Sequence, residues 1–500
     1  MGNAQRGLSG VALRGGAAAG VAQLVKLLVQ FGSVVVLARL LEPSDFGMMA
    51  ALSPLFAFVA MFQDIGLKEA LYQRDDVSDE LVNQIFYATL WLGLACAGVV
   101  AASSPLVAWF YGEPRLAAMT LLSSLSVLLS SWATVPTALL NRRLAFGTIA
   151  GIDIAASLLG FAATLTGALL GAGYWSLLYS PLVSTVVILV VTWARAGFRP
   201  GPRPATLIDR SALTFGANLT GFNFLNFFSR NIDNVLIGRV FGSVQLGFYD
   251  RAYKLLLFPL QTVNAPLSRV MVPLLSRLQH EPERFRRAFV RTAGQLGLVT
   301  VTGTAAVIPV SHELTTLLFG ERWQPVAPIF AWLGLAGLVQ PINSAVGWVF
   351  IAQGRTDVLL RWSAYSSLTT VASFVVGLQW DTTAVAAAYA LSGYLFRVPQ
   401  YYFVVASVGP ITKRDLAAIQ GPMLVAAGLT FLTVTYLLRP LGLGGYTLLA
   451  LSCSCSAIAT PLCMAVLPEG REVLRESVGL VQRVIGARRV AGDNGGVASR

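Results

Sequence analysis

Charge is what this chain has least of. Only 12% of its 500 residues are Asp, Glu, Lys or Arg, against about a quarter in a soluble domain. That excludes an ordinary water-soluble globular protein. Histidine occurs twice, at His280 and His312, and cysteine four times, at Cys96, Cys453, Cys455 and Cys463. Two histidines are too few for a histidine-rich metal site, and Cys453-x-Cys455 fits neither a zinc nor a redox motif. All four cysteines lie in apolar runs and read as packing residues. The sequence has no G-x-x-x-x-G-K-[ST] phosphate loop, no Ser/His/Asp set, no H-E-x-x-H and no glycosidase-type carboxylate pair. It therefore carries no built-in ATPase or hydrolase. The expectation is a protein that is not an enzyme, with no cofactor and no metal. Any driving energy has to come from a gradient, substrate flux or partners.

What the chain has is apolar length. Hydrophobic residues make up 55% of it. Runs of about 20 recur, each long enough to cross a bilayer as a helix. The alternation of a membrane β-barrel is absent. The pattern predicts an all-α polytopic membrane protein with about 14 spans, near 16–38, 46–67, 83–110, 116–140, 149–171, 173–194, 212–238, 246–274, 291–312, 326–352, 358–377, 384–406, 418–438 and 446–467. The Pro-rich stretch Arg195–Pro204 sits between helices 6 and 7. This predicts an N-lobe over 1–194, a cytoplasmic linker over 195–211, a C-lobe over 212–406, two additional helices over 407–467 and a basic tail over 468–500, with the two six-helix lobes pseudo-symmetric. In the tail, Leu474, Val478, Val481 and Ile485 share one helical face, which suits an amphipathic helix on an anionic leaflet as well as a solvated tail.

The net charge of +12 follows the same topology. With the N-terminus inside, inner segments hold 25 Lys and Arg and outer loops hold 5, namely Arg39, Arg115, Arg239, Arg322 and Arg439. The bias places both termini in the cytoplasm, and topology explains the basic excess without nucleic acid. Every outer loop is short, which counts against large-loop membrane enzymes.

One segment occurs twice. Ala38-Arg-Leu-Leu-Glu-Pro-Ser-Asp-Phe-Gly47 has its echo 200 residues later in Gly238-Arg-Val-Phe-Gly-Ser-Val-Gln-Leu-Gly247. Each copy ends an apolar helix with Arg, turns, and starts the next helix with Gly eight residues on. The preceding helices carry matching polar positions: Gln23, Lys26, Gln30 and Ser33 in one, Asn223, Asn226, Arg230 and Asp233 in the other. Facing lipid, such an arc is costly: about 2.5–3.5 kcal/mol for each mid-helix Arg or Asp. It is expected to line a polar interior. The competing reading is an Arg230–Asp233 pair closed on itself, with Asn side chains bonding neighbouring helices. Helix 8 adds Asp250, Arg251, Tyr253 and Lys254. Asp250 and Lys254 can pair at i, i+4, leaving Arg251 free, and Pro259, Pro266 and Pro273 are placed to kink the helix. Arg39 and Arg239 either snorkel at the interface or form cationic gates at the outer mouth. Asp64-Ile-Gly66 reads as a helix-end cap. Asp153 is a weaker candidate for a coupling cation.

Leu37–Gly47 with Asp64-Ile-Gly-Leu67, and Arg230-Asn-Ile-Asp-Asn-Val-Leu-Ile-Gly-Arg239 with Leu246–Lys254 and Pro259, resemble bacterial polysaccharide flippases and exporters. These are the Wzx-like lipopolysaccharide and exopolysaccharide biosynthesis proteins of the multidrug/oligosaccharidyl-lipid/polysaccharide exporter superfamily. The resemblance runs over residues 15–440. It implies a two-lobed transporter working by alternating access on undecaprenyl-pyrophosphate-linked oligosaccharide. It also implies a bacterial cytoplasmic-membrane location and a polysaccharide polymerase and chain-length regulator as partners. Fixed cations would hold the diphosphate head group. By motif position this role falls to Arg230, Arg239 and Arg251, and by location to Lys26. With Arg39, Asn223, Asn226, Asp233 and Lys254 these make up the candidate substrate-binding set. Two other readings compete: a cation-coupled multidrug or small-molecule antiporter, which needs an acidic or aromatic cavity, and a non-transporting membrane partner of a glycan-assembly complex.

Overall fold

The computed structural model describes residues 2–63, 71, 78–202, 210–479 and 482, with side chains described for 20–63, 71, 78–202, 231–257, 262–264, 266–479 and 482. The described secondary structure is entirely helical, as a chain without bilayer hydrogen-bond partners requires. The helices are α1 Gly2–Leu40, α2 Pro43–Gln63, α3 Asp79–Tyr111, α4 Arg115–Arg142, α5 Phe146–Leu169, α6 Ser176–Ala196, α7 Arg210–Arg277, α8 Pro282–Val307, α9 Ser311–Phe319, α10 Val326–Gly337, α11 Gln340–Ala352, α12 Thr356–Gly377, α13 Thr382–Ser392, α14 Val398–Val408, α15 Lys413–Leu432 and α16 Gly445–Met464. Among the described residues nine helices are long and apolar enough to cross a membrane, or up to eleven if each bent pair counts as one span. Interruptions account for part of the lower number. The run 291–312 bends by 85° between α8 and α9, and the run 384–406 holds a five-residue π-turn, Gly393–Arg397, between α13 and α14. The run 326–352 divides into α10 and α11 but still counts as one span. A second π-turn, Thr433–Leu438, follows α15.

The chain falls into two compact units, Met1–Asp250 and Arg251–Arg500, so α7 runs across the boundary. In the first unit α3 packs on α4, α5 on α6, and α1 on α5. Small residues set these approaches. A Cβ on Gly93 would lie 2.2 Å from the Ser131 side chain, and one on Gly160 would lie 2.3 Å from Ser184 Oγ. Polar side chains stitch the helices: Gln63 Nε2 donates to Val127 O at 2.7 Å and to Ser131 Oγ at 2.9 Å. α3 shows how local sequence sets an end. Ser78 Oγ accepts from Leu81 N, Asp79 and Glu80 fill the first turn, and Gly112 stops the helix at φ +67°. The start of the Pro-rich segment after α6 is pinned to α3, where Gly201 N donates to Asn83 Oδ1 and Tyr87 Oη to Gly201 O.

The second unit is built around Phe285, Phe289, Leu296, Ile342, Phe350 and Tyr401. The two additional helices, α15 and α16, pack on α8 and on each other. Ser456 Oγ of α16 donates to Thr302 O of α8 at 2.8 Å. α15 opens with a capping box of Thr412 and Asp415, and Arg286 of α8 grips the buried Asp415 with a two-pronged hydrogen bond. The start of the tail differs from the expected membrane-surface helix. Residues 468–479 are helical, and Val473 is buried with its methyls against Gly294 of α8. Arg291 pairs with Glu476. Leu474 packs inward while Val478 is exposed, so those two do not form one lipid-facing strip. Val481 and Ile485 lie outside the described residues.

Candidate functional site: two copies of one turn

The repeated segment is a structural repeat in contact with itself. In the first copy α1 stops at Leu40 and α2 starts at Pro43. Proline suits a first helical turn, where its missing N–H costs nothing. Asp45 closes the turn by accepting from Glu42 N through Oδ2 at 3.1 Å. In the second copy α7 breaks at Gly242, at φ 80° and ψ −178°, a conformation that only glycine adopts without strain. The chain reverses there. Tyr249 Oη donates to Asp233 Oδ2 at 3.1 Å, although a straight helix would hold these residues about 24 Å apart.

The two turns meet through their glycines. A Cβ on Gly47 would lie 1.6 Å from the Ser243 carbonyl oxygen, and one on Gly247 would lie 2.0 Å from the Pro43 carbonyl oxygen. Positions 43 and 243 correspond, as do 47 and 247, so the contact is two-fold symmetric in sequence terms. Backbone touches backbone on both sides, and no larger side chain fits.

Around this contact the first unit gathers cations and aromatic rings. Arg39 and Arg239 are both exposed. The Arg239 guanidinium lies 5.9 Å from the centroid of Phe110, and a Cβ on Gly238 would touch the Tyr111 ring. In the same α3–α4 corner Arg115 binds Glu113 at 2.8 Å and lies 5.7 Å from the Tyr174 ring centroid. The hydrogen bond from Arg115 holds the Glu113 carboxyl below its ordinary range.

The remaining candidates divide as follows. Lys26 is exposed on α1, with Gln23 and Gln30. Asp233 is buried and already satisfied, accepting from Tyr249 Oη and from Asn234 N at 2.8 Å. The side chains of Asn223, Asn226 and Arg230, as well as Asp64 and Pro259, lie outside the described residues. Arg251 is buried, Lys254 is exposed, and both make contacts of their own. The expectation of a free Arg251 guanidinium is therefore corrected: burial of a charge demands partners, and it has them. Asp153 is half-buried in α5. Among the described residues no group of three or more His, Cys, Asp or Glu is placed to hold a metal ion, and the four cysteines are unbridged. The motif reading missed Arg397, although it is the sole charged residue between Asp381 and Lys413.

Known proteins resemble this chain in sequence and in fold. A family profile described as "Polysaccharide biosynthesis protein" covers residues 36–328. The lipopolysaccharide biosynthesis protein WzxC of Escherichia coli K12 is 24% identical over 69% of this chain and 71% of its own length. The succinoglycan biosynthesis transport protein ExoT of Rhizobium meliloti is 28% identical over 70% of this chain and 71% of its own. The teichuronic acid biosynthesis protein TuaB of Bacillus subtilis is 25% identical over 61% and 64%. Among solved structures, an inward closed conformation of the lipid II flippase MurJ superposes with a TM-score of 0.71 at 13% identity, over 90% of this chain and 98% of its own. A multidrug MATE transporter in an inward-facing conformation gives 0.58 at 12% identity, over 77% and 95%. These likenesses show the fold of a multi-pass membrane transporter. With its repeated turns, polar helix faces and a family match over more than half its length, the chain belongs to the polysaccharide biosynthesis protein family of Wzx-like membrane flippases.

Proposed function

We propose that the protein moves undecaprenyl-diphosphate-linked oligosaccharide units across the bacterial cytoplasmic membrane by alternating access, for exopolysaccharide or lipopolysaccharide assembly. Both termini and the 195–211 linker lie in the cytoplasm in this reading, with the lobes at 1–194 and 212–406. The observation that carries it is the glycine-mediated contact of the two turns. Two equivalent helix corners, each carrying an arginine, close on one another without a side chain between them. Such a seam can separate and reform without repacking a core. The candidate cations (Lys26, Arg39, Arg230, Arg239 and Arg251) have the sign that a diphosphate needs and that a cationic drug would not tolerate. Asp233 supports the break at Gly242 and leaves ligand contact to these cations.

The test is complementation of a strain lacking the native gene, with membrane abundance checked by blot. Lys26→Ala and Arg230→Ala should lower surface glycan severalfold at normal protein level, and Arg230→Lys should recover only part of it, because Lys keeps the charge and loses the fork. Full export by all three variants would remove the cation-lined path. A reporter fused after Arg210 that reads as extracytoplasmic would break the topology.

A further inference from the structure

Arg397 stands near the middle of the run 384–406, which the hydrophobic pattern predicts to cross the membrane. From Arg397 to the end of α14 at Val408 is about 16 Å of helix, and back to the start of α13 at Thr382 is about 22 Å. A hydrocarbon layer is about 30 Å thick, so a span at the predicted place carries the guanidinium well inside it. The local backbone is shaped around this side chain. The five residues Gly393–Arg397 form a π-turn, which inserts one extra residue into the helix and recurs at functional positions. Gly393 leaves the space: a Cβ there would lie 2.9 Å from Arg397 Nη2. Nη1 donates to Thr370 Oγ1 of α12 at 2.9 Å, and Nη2 donates to the Tyr389 carbonyl. The guanidinium carbon lies 4.1 Å from the Tyr389 ring centroid, and that ring stacks on Phe374 at 5.5 Å.

Neutral groups hold the fork. Among the described residues no carboxylate forms an ion pair with Arg397. A guanidinium has five N–H donors, and its buried Nε–H has no partner. An intramembrane cation that is oriented and short of an acceptor is half of an anion site.

We propose that Arg397, in the second unit, binds the phosphate oxygens of an isoprenyl diphosphate head group as it crosses the membrane, in addition to the candidate cations named above. This rests on the flippase reading above. The depth selects the ligand: the phosphate of a resident phospholipid stays outside the hydrocarbon layer, whereas a transported head group passes through it. Thr370 and Tyr389 orient the fork, and Phe374 supports Tyr389.

The experiment uses the purified full-length protein in detergent, with farnesyl diphosphate and phosphatidylglycerol as separate probes and native mass spectrometry as the readout. Wild type should bind farnesyl diphosphate, and R397Q should bind it about tenfold more weakly with phosphatidylglycerol binding unchanged. R397K should lie between, and Thr370→Val should weaken binding by a smaller factor while keeping the charge. Equal binding of farnesyl diphosphate by wild type and R397Q overturns the Arg397 assignment alone. A loss seen only with phosphatidylglycerol assigns the site to a resident lipid and also overturns it. Wild type that binds no farnesyl diphosphate overturns both this site and the flippase reading. Where R397Q fails to accumulate, wild type carries the test: farnesyl diphosphate should protect Arg397 from phenylglyoxal, read by peptide mass mapping, and undiminished labelling overturns the proposal.

Discussion

The two copies of the repeated turn reach one geometry by different chemistry. The first uses Pro43 to start a helix and Asp45 to cap it, with an ordinary residue, Glu42, at the corner. The second has Gly242 at the matching position, with Ser243 and Gln245 following it, and reverses through a positive φ. A capped turn and a glycine turn are alternative solutions to stopping a helix sharply. What the copies share is the part that touches: Gly47 and Gly247, with the buried Phe46 and Leu246 beside them. The corner is free to vary while the contact is not.

The largest expected effect comes from breaking the shared element. Gly47→Ala places a methyl group against the Ser243 carbonyl, and Gly247→Ala places one against Pro43. Neither obstacle is a flexible side-chain end. Each variant should lose about 3 kcal/mol, at the upper end of overpacking costs, together with most glycan export. Thermal unfolding in detergent and complementation read the two effects. The double variant should cost less than the sum, because each change opens the same seam. Strict additivity would show that the glycines act at separate places.

The corner itself comes next. Gly242→Ala forces an alanine into a glycine-only conformation and should cost about 1–3 kcal/mol. Asp45→Ala in the first copy removes one cap and should cost about 1 kcal/mol. An equal loss in the two copies would erase the asymmetry described above. Smaller again is Tyr249→Phe, which takes one donor from the buried Asp233 and should cost about 1 kcal/mol or less. In the same region Arg230→Ala with Asp233→Ala should remain as defective in export as Arg230→Ala alone, because Asp233 already has its own donors. Full recovery in the double variant would show that the two residues pair. The smallest effect is on pH. Glu113 is held below its ordinary range by Arg115, so its contribution is present at neutral pH and is lost as pH falls through that lowered value. The pair is partly exposed, so the shift in melting temperature between wild type and Glu113→Gln should be slight and confined to acidic pH.

Much of this was legible in the sequence because a membrane enforces long apolar helices, and because a 200-residue echo is visible without coordinates. Arg39, Gly47, Arg239 and Gly247 could be read as a matched set. That the glycines touch could not, since spacing says nothing of which repeat faces which. The breaks were harder. In 326–352 the division at Leu338–Val339 is flanked by Gly337 and Pro341, boundary signals that a continuous apolar run hides, and π-turns lack a sequence signature. Arg251 was misjudged because i, i+4 pairing counts only neighbours on its own helix, whereas a buried guanidinium is satisfied by whatever surrounds it. Arg397 was visible as a lone charge but belonged to no motif, and its meaning depends on Tyr389, eight residues earlier, and on Thr370 of another helix.

The most direct test of the central claim is translocation by the purified protein in liposomes. A fluorescent undecaprenyl-diphosphate-linked oligosaccharide is placed in both leaflets, and a membrane-impermeant quencher is added outside. The account predicts that the protein carries inner-leaflet label to the quencher, that Gly47→Ala slows this, and that a fluorescent phosphatidylcholine is not moved. Quenching at the rate of protein-free vesicles, or equal movement of both lipids, would contradict it.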